Sequence, residues 1–239
     1  MTRVLVATAV PAEGDAVARA FGPVAAEAAL PGGLLVRGLP DGPDLLAAGV
    51  GPALAAASTA TALTAAALRG EPYRLVVSAG IGGGFAPAAP VGSLVVADEI
   101  TAADLGAETA DGFLPVTELG FGAVTHRPPA DLVRAAAEAT GAATGPVLTA
   151  STVTGTAGRA ALLLSRHPGA LAEAMEGFGV AEAAAAHGVP VLEIRAVSNP
   201  VGPRDRAAWR IPEALAALTA AFEGLAPVLR RFSTERVEP

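Results

Sequence analysis

The chain contains no cysteine, which excludes disulfide bonds, a thiol nucleophile and a cysteine-liganded metal site. Lysine is also absent, so the chain can neither form a Schiff base nor build the lysine-dependent phosphate loop of P-loop enzymes. The three histidines, His126, His167 and His187, lie in separate segments without metal-ligand spacing. We therefore expect no metal site, and we interpret each histidine as a surface or helix-end residue.

Charged residues are few, at 16% against 52% hydrophobic residues, as is typical of a globular chain. The net charge of −7 without a basic cluster argues against nucleic acid or an anionic membrane as a partner. No apolar run approaches the roughly 20 residues of a membrane span. The opening M-T-R-V-L-V-A-T-A-V reads as a strand without a clear cleavage region, so no secretory signal is predicted and a cytoplasmic location is expected.

Apolar β-branched runs alternate with alanine-rich amphipathic stretches along the whole chain. This alternation predicts an α/β fold, a three-layer αβα sandwich around a largely buried sheet. A strand pair within Leu34–Val50 indicates that the sheet is mixed. Leu171–His187 is predicted as a helix and Thr101–Pro129 as irregular loops. We expect one domain over residues 1–232 and a polar C-terminal tail over residues 233–239.

A predicted strand runs directly into a glycine cluster, Leu75-Val-Val-Ser-Ala-Gly-Ile-Gly-Gly-Gly-Phe85. Glycines at such a position let the backbone bend and approach a ligand closely, at the sheet edge where α/β proteins bind ligands. Gly80 and Gly82 fit the start of the dinucleotide fingerprint, but Phe85 stands where the third glycine belongs. The chain also lacks the G-x-S-x-G motif of serine hydrolases.

Carboxylates and an amide at the ends of buried elements are the remaining polar candidates. Glu13 opens the first predicted helix, where the helix dipole alone also explains an acid. Glu176 lies in A-M-E-G-F-G, where each mid-helix glycine costs about 1 kcal/mol against alanine. These glycines indicate close packing, and Met175 and Phe178 offer apolar and aromatic contact to a ligand. Asn199 ends a buried strand, as a turn residue or as a ligand contact.

Together these segments resemble the nucleoside phosphorylase/nucleosidase superfamily, and especially its 5′-methylthioadenosine/S-adenosylhomocysteine nucleosidase branch. The resemblance covers nearly the whole chain. It rests on five motifs in the family's order: A-V-P-A-E ending at Glu13, V-V-S-A-G-I-G-G-G-F, V-G-S-L-V-V-A-D-E, A-M-E-G and E-I-R-A-V-S-N. Each motif is weak alone, but the order is specific.

The resemblance implies roles for the matching residues. Glu13 matches the carboxylate that activates the attacking water, and Glu176 with Met175 matches the pair that holds the ribose. The glycine cluster, with Gly80, Ile81 and Gly82, is implied to line the sugar and nucleophile site, and Val153 with Thr154 to border the base. Cleavage of an N-glycosidic bond passes through an oxocarbenium-like state, which nearby carboxylates stabilise.

Asn199 departs from the nucleosidase branch, which has an aspartate there to protonate adenine. An amide can donate to a carbonyl oxygen, which suits a 6-oxopurine such as hypoxanthine. Glu13 combined with this asparagine, and the segment S-N-P-V-G-P-R-D-R-A-A-W, resemble the futalosine hydrolase family of the alternative menaquinone pathway. Arg204, Arg206 and Trp209 are then candidates for the carboxylated aromatic group beyond C5′, although salt bridges and core packing explain them equally well.

The identity of the nucleophile separates the alternatives. The sequence neighbours of the glycine cluster are apolar and Glu13 would repel phosphate, so we predict hydrolysis rather than phosphorolysis. A purine nucleoside phosphorylase, a methylthioadenosine nucleosidase and a non-catalytic nucleoside-binding protein are the alternatives. Asp205 or a water molecule would protonate the leaving purine. The resemblance implies no cofactor, a small-molecule nucleoside as substrate, and a homodimer whose Thr101–Pro129 loops reach the neighbouring site.

Overall fold

The computed structural model describes the backbone of residues 4–234 and the side chains of residues 4–231. Within these residues the chain forms twelve strands: β1 (Val4–Thr8), β2 (Ala26–Ala29), β3 (Leu35–Gly38), β4 (Asp44–Ala47), β5 (Leu75–Gly84), β6 (Leu94–Ala102), β7 (Gly106–Thr109), β8 (Gly112–Pro115), β9 (Thr125–His126), β10 (Ala143–Thr149), β11 (Ala172–Ala174) and β12 (Val191–Pro200). The described part of the chain also contains six α-helices: α1 (Pro11–Ala18), α2 (Pro52–Leu68), α3 (Ala130–Thr140), α4 (Ala157–Arg166), α5 (Gly177–Ala186) and α6 (Ile211–Thr234).

Ten of these strands form one sheet in the order β11-β10-β6-β12-β5-β1-β4-β3-β2, with β9 attached to β6. The centre is parallel, because β5 pairs in parallel with both β1 and β12. β6 pairs antiparallel with β12, and β3 pairs antiparallel with β4. The mixed sheet predicted from the sequence is therefore confirmed.

Both faces of the sheet are covered by helices, as a strand that is apolar at every position requires. In β1, Leu5 belongs to the core cluster formed with α2 and α5. Its neighbour Val6 points to the opposite face and belongs to the cluster formed with α1, α3 and α6. This alternation gives the predicted three-layer αβα sandwich.

Contrary to the expectation that no apolar run approaches a membrane span, the segment Ile211–Arg231 of α6 is, among the described residues, long and apolar enough to cross a membrane by length and composition alone. It packs against the sheet, since Leu218, Phe222 and Leu225 are fully buried in the core. α6 is therefore accounted for as a core helix of the sandwich.

Three sequence-based predictions of local structure were wrong. Residues 80–84 were expected to follow the strand and bend the backbone, but they continue β5, because β12 pairs with them as far as Gly84. The predicted helix Leu171–His187 begins only at Gly177, since Ala172–Ala174 pairs with β10 and β5. The segment Thr101–Pro129 is not all loop, because it contains the hairpin of β7 and β8 and the short strand β9.

The division into one domain and a tail stays a prediction. Residues 235–239 lie outside the described part of the chain, and backbone positions 233 and 234 still belong to α6.

Candidate active site

A cavity of about 310 Å³ opens beyond the carboxyl ends of β1, β5 and β12. This is the edge at which α/β sheets place ligands. The structure brings most of the predicted site residues into its wall: Glu13, Ile81, Gly82, Val153, Thr154, Met175, Glu176, Asn199, Arg204 and Trp209.

Glu13 is held in place by backbone amides from two elements. Its Oε2 accepts hydrogen bonds from the amides of Ala9 (2.9 Å) and Val10 (3.2 Å), so it caps the first turn of α1. Its Oε1 accepts from the amide of Ile81 at 2.9 Å. Burial raises the pKa of the Glu13 carboxyl, although the Ile81 amide and the charge of Arg195 oppose this shift. A buried carboxylate with a raised pKa is suited to accept a proton near neutral pH.

Gly80 explains how Glu13 reaches this position. A Cβ on Gly80 would lie 2.5 Å from Glu13 Oε1 and 2.8 Å from Arg195 Nη1. Gly80 itself does not line the cavity; it leaves the space that both side chains occupy. Gly80 was predicted to line the cavity, but it lies behind the cavity wall and supports Glu13 there.

Glu176 joins the start of α5 to the start of α2. Its Oε1 accepts from the amide of Gly51 at 3.2 Å, and its Oε2 lies 3.6 Å from Arg195 Nη1. The residue is the N-cap of α5, so the predicted mid-helix position is wrong. It reaches the cavity because β11 ends at the sheet edge two residues earlier.

The sequence neighbours of the glycine cluster are apolar, yet an arginine lies beside it in space. Arg195 of β12 pairs with Gly80 of β5 and is 1% exposed. Its charge is met by Glu193 and Glu176, and it is not part of the cavity wall. Arg195 lies beside the glycine cluster because β12 pairs with β5, although the two segments are far apart in the sequence.

Glu173 is a cavity residue that the sequence did not single out. It lies on β11, and its carboxylate accepts from the amide of Thr154 (2.7 Å) and from Thr154 Oγ1 (2.5 Å). This pair fixes the loop after β10 that carries Val153. An acid between two alanines, three residues before Glu176, is the signal that could have identified it.

Asn199 stands at the end of β12 with a fixed amide. Its Oδ1 accepts from Ser198 Oγ at 2.8 Å, and its Nδ2 donates to the carbonyl of Pro200 at 3.0 Å. In the loop that follows, the Arg204 guanidinium lies 5.1 Å from the centre of the Trp209 ring. Arg206 lies over the same ring at 5.8 Å but is not among the residues of the cavity wall.

Phe178 does not join these residues. Its side chain lines a second depression of about 260 Å³ beside Pro52 and Leu105, and its ring is 5.2 Å from that of His126. The prediction grouped it with Met175 on one helix. Because α5 begins at Gly177, the two side chains leave the backbone in different elements.

The cavity wall combines three acids with an amide and an arginine. Within residues 4–231, no group of three or more His, Asp or Glu side chains is placed to hold a metal ion. The arrangement can accept a proton at Glu13, bind hydroxyl groups at Glu176 and donate hydrogen bonds from Asn199.

A family model described as the phosphorylase superfamily matches residues 4–233. The futalosine hydrolase of Streptomyces coelicolor is 82% identical over 225 residues, which cover 94% of this chain and 95% of that protein. The chain belongs to the phosphorylase superfamily and, within it, to the futalosine hydrolase family.

A second member of the futalosine hydrolase family, from Acidothermus cellulolyticus, is 47% identical over 161 residues, or 64% of each chain. Among solved structures, the 5′-methylthioadenosine/S-adenosylhomocysteine nucleosidase of Neisseria meningitidis, in complex with methylthio-immucillin-A, has a TM-score of 0.78. It is 21% identical and covers 95% of this chain, with 99% of its own chain matched. This similarity shows that the chain has the nucleosidase fold.

Proposed function

We propose that this protein hydrolyses the N-glycosidic bond of futalosine, releasing hypoxanthine and dehypoxanthinyl futalosine, as a step of menaquinone formation. The observation that carries this proposal is the buried Glu13 carboxylate in the wall of a cavity that also contains Glu176 and Asn199. The relative from Streptomyces coelicolor, at 82% identity, supports the substrate.

In the proposed reaction, Glu13 takes a proton from the water that attacks C1′ of the ribose. The bond between C1′ and the purine nitrogen breaks, and its electron pair leaves with hypoxanthine. Glu176 binds the ribose hydroxyls, and its charge stabilises the positive charge that develops on the sugar. Asn199 donates a hydrogen bond to the 6-oxo group of the purine.

The leaving purine is proposed to receive its proton from water. Asp205, the other source considered from the sequence, is not among the residues of the cavity wall. Its carboxylate accepts from the amide of Ala207 at 3.0 Å and caps the short helical turn Arg206–Ala208. That local bond accounts for an acid at this position.

The carboxylated aromatic group beyond C5′ is assigned to Arg204 and Trp209. Both line the cavity, and the guanidinium stacks over the indole. A ring can stack beside Trp209 while its carboxylate accepts hydrogen bonds from Arg204.

The active form is proposed to be a cytoplasmic homodimer whose partner covers the mouth of the cavity. Val50 of the cavity wall and Leu54 of α2 are each 54% exposed, and Leu105 of the second depression is 43% exposed. An exposed apolar group of this kind is typical of a protein interface.

Chromatography of released bases tests the reaction. Purified protein is incubated with futalosine, inosine or methylthioadenosine, each with and without phosphate. We expect hypoxanthine from futalosine at the same rate in both buffers. Strict dependence on phosphate would show a phosphorylase, and tight binding without release would show a binding protein.

The base is tested by Glu13→Gln in the same assay. We expect turnover to fall about 10²-fold to 10⁴-fold, because the amide cannot accept the proton. Glu27→Gln on the exposed strand β2 is the matched control and should keep the wild-type rate. Unchanged turnover by Glu13→Gln would contradict the assignment.

A further inference from the structure

Two buried charges in the middle of β12 have no part in the reaction as proposed. Glu193 and Arg195 are 0% and 1% exposed, on a strand that is otherwise apolar until Ser198. Arg195 Nε donates to Glu193 Oε1 at 2.8 Å. A buried ion pair loses much of its attraction to desolvation, so stability alone is a weak reason for placing one here.

Arg195 lies directly behind the two catalytic carboxylates. Its Nη1 is 3.6 Å from Glu176 Oε2 and points at Gly80, where Glu13 Oε1 also approaches. Its Nη2 donates to Ser78 Oγ at 2.9 Å. Among the described residues, Nη1 has no hydrogen-bond partner. The orientation of the guanidinium therefore depends on two hydrogen bonds, from Nη2 to Ser78 and from Nε to Glu193, and only the second brings a compensating charge.

Glu193 accepts the hydrogen bond from Arg195 Nε and is not part of the cavity wall. Its Oε2 has no hydrogen-bond partner within the described part of the chain. The carboxylate lies against Gly177, and a Cβ at Gly177 would overlap both of its oxygens. The glycine in A-M-E-G that follows Glu176 is thus explained by the space that Glu193 needs.

Building on the hydrolytic function proposed above, we propose that Glu193 is a positioning residue that offsets the charge of Arg195. The guanidinium can then orient Glu176 while the Glu13 carboxylate stays basic enough to take a proton from the attacking water.

The electrostatic consequence has a definite sign. Among the charged groups facing Glu13, Arg195 from β12 lowers its pKa and Glu176, beside α5, raises it, while burial raises it most. Burial also raises the pKa of Glu193, although the charge of Arg195 and its hydrogen bond oppose this shift. Replacing the ionised Glu193 leaves the charge of Arg195 less compensated, which lowers the pKa of Glu13. A base with a lower pKa is deprotonated at lower pH but accepts a proton less readily.

Glu193→Gln tests this, because the amide oxygen still accepts from Arg195 Nε while the charge is lost. Hypoxanthine release from futalosine is measured from pH 4 to pH 9. We expect the acid limb of kcat/KM to move down by about one pH unit. We also expect kcat to fall about 10-fold with little change in KM, since Glu193 does not touch the substrate.

Glu223→Gln is the control for removing a carboxylate from a neighbouring element. Glu223 is exposed on α6 and lies outside the proposed machinery. Its acid limb should coincide with that of the wild type. A lower yield of active Glu193→Gln with an unshifted limb would show a structural role only and overturn the proposal.

Gly177→Ala is a second variant that leaves every charge in place. The added methyl group would overlap the Glu193 carboxylate, which must leave its present place and lose its close pairing with Arg195. The limb should therefore move in the same direction. If Glu193→Gln does not fold, an unshifted limb in Gly177→Ala overturns the proposal. Wild-type protein that releases no hypoxanthine would instead contradict the hydrolytic function itself.

Discussion

Arg204 and Arg206 lie over the same indole ring, but only Arg204 belongs to the cavity wall. We expect Arg204→Gln to raise KM for futalosine about 10-fold or more, because a charge-assisted bond to the substrate carboxylate contributes roughly 1.5–3 kcal/mol. Inosine lacks that carboxylate, so its KM should not change. Steady-state kinetics with both substrates measures the difference, and Arg206→Gln is the matched control. An equal rise for inosine and futalosine would reject the assignment.

Asn199 offers a test of base preference. In Asn199→Asp, a carboxyl oxygen replaces Nδ2 at 3.0 Å from the carbonyl of Pro200. Two oxygens at that distance favour the protonated acid, which can then donate its proton to a purine nitrogen. We expect release of hypoxanthine from futalosine to fall about 10-fold or more, and adenine release from methylthioadenosine to appear.

Base release from both substrates is measured side by side. Asp205→Asn, which changes an acid that is not part of the cavity wall, should leave both rates unchanged. A variant of Asn199 that loses futalosine activity without gaining methylthioadenosine activity would show that this position does not select the base.

Sequence motifs placed Glu13, Glu176 and Asn199 at one cavity, but they did not reveal the Arg195 network. Arg195 is far from the glycine cluster along the chain, and only the register of β12 against β5 places it beside Gly80. The available signal was two charged residues, 193 and 195, on one face of an apolar strand. Such a pattern predicts a buried ion pair. It does not predict which strand lies beside the pair, because that depends on pairing between segments far apart in the sequence.

At the scale of elements, alanine content misled the prediction between β11 and α5. Ala172, Glu173 and Ala174 favour helix by intrinsic propensity. In the fold they form a fully buried strand, because β10 and β5 both offer backbone hydrogen bonds to them. Propensity is a weak prior that tertiary pairing overrides. The three-layer prediction was still correct, because the central strands consist mainly of apolar and β-branched residues that the sequence pattern identifies.

The packing of α2 on α5 depends on Gly179. A Cβ at Gly179 would overlap the carbonyl of Pro52, which is backbone and cannot rotate away. We expect Gly179→Ala to destabilise the protein by about 1–3 kcal/mol, as other overpacked cores are destabilised. Thermal and urea unfolding followed by circular dichroism measure the change.

Gly158 in the first turn of α4 is the matched control. A Cβ there meets nothing within 4 Å, and its backbone is helical. Gly158→Ala should therefore stabilise the protein slightly, by about 0.4–1 kcal/mol. If both variants unfold at the wild-type midpoint, the close contact between α2 and α5 does not require a glycine at position 179.

At the scale of the whole molecule, the exposed apolar residues beside the two depressions are the basis for the proposed homodimer. Leu54 of α2 is 54% exposed at the end of the helix nearest the cavity. We expect Leu54→Glu to shift the protein from dimer to monomer in light scattering, because a charge buried in an interface is strongly disfavoured.

Leu68 lies near the other end of the same helix and is 85% exposed, so Leu68→Glu is the matched control and should stay dimeric. If the partner covers the cavity mouth, the Leu54→Glu monomer should also lose turnover of futalosine while its unfolding midpoint stays near that of Leu68→Glu. A wild-type monomer would contradict the homodimer. A fully active Leu54→Glu monomer would show instead that each protomer binds and hydrolyses its substrate alone, with the acids of its own cavity.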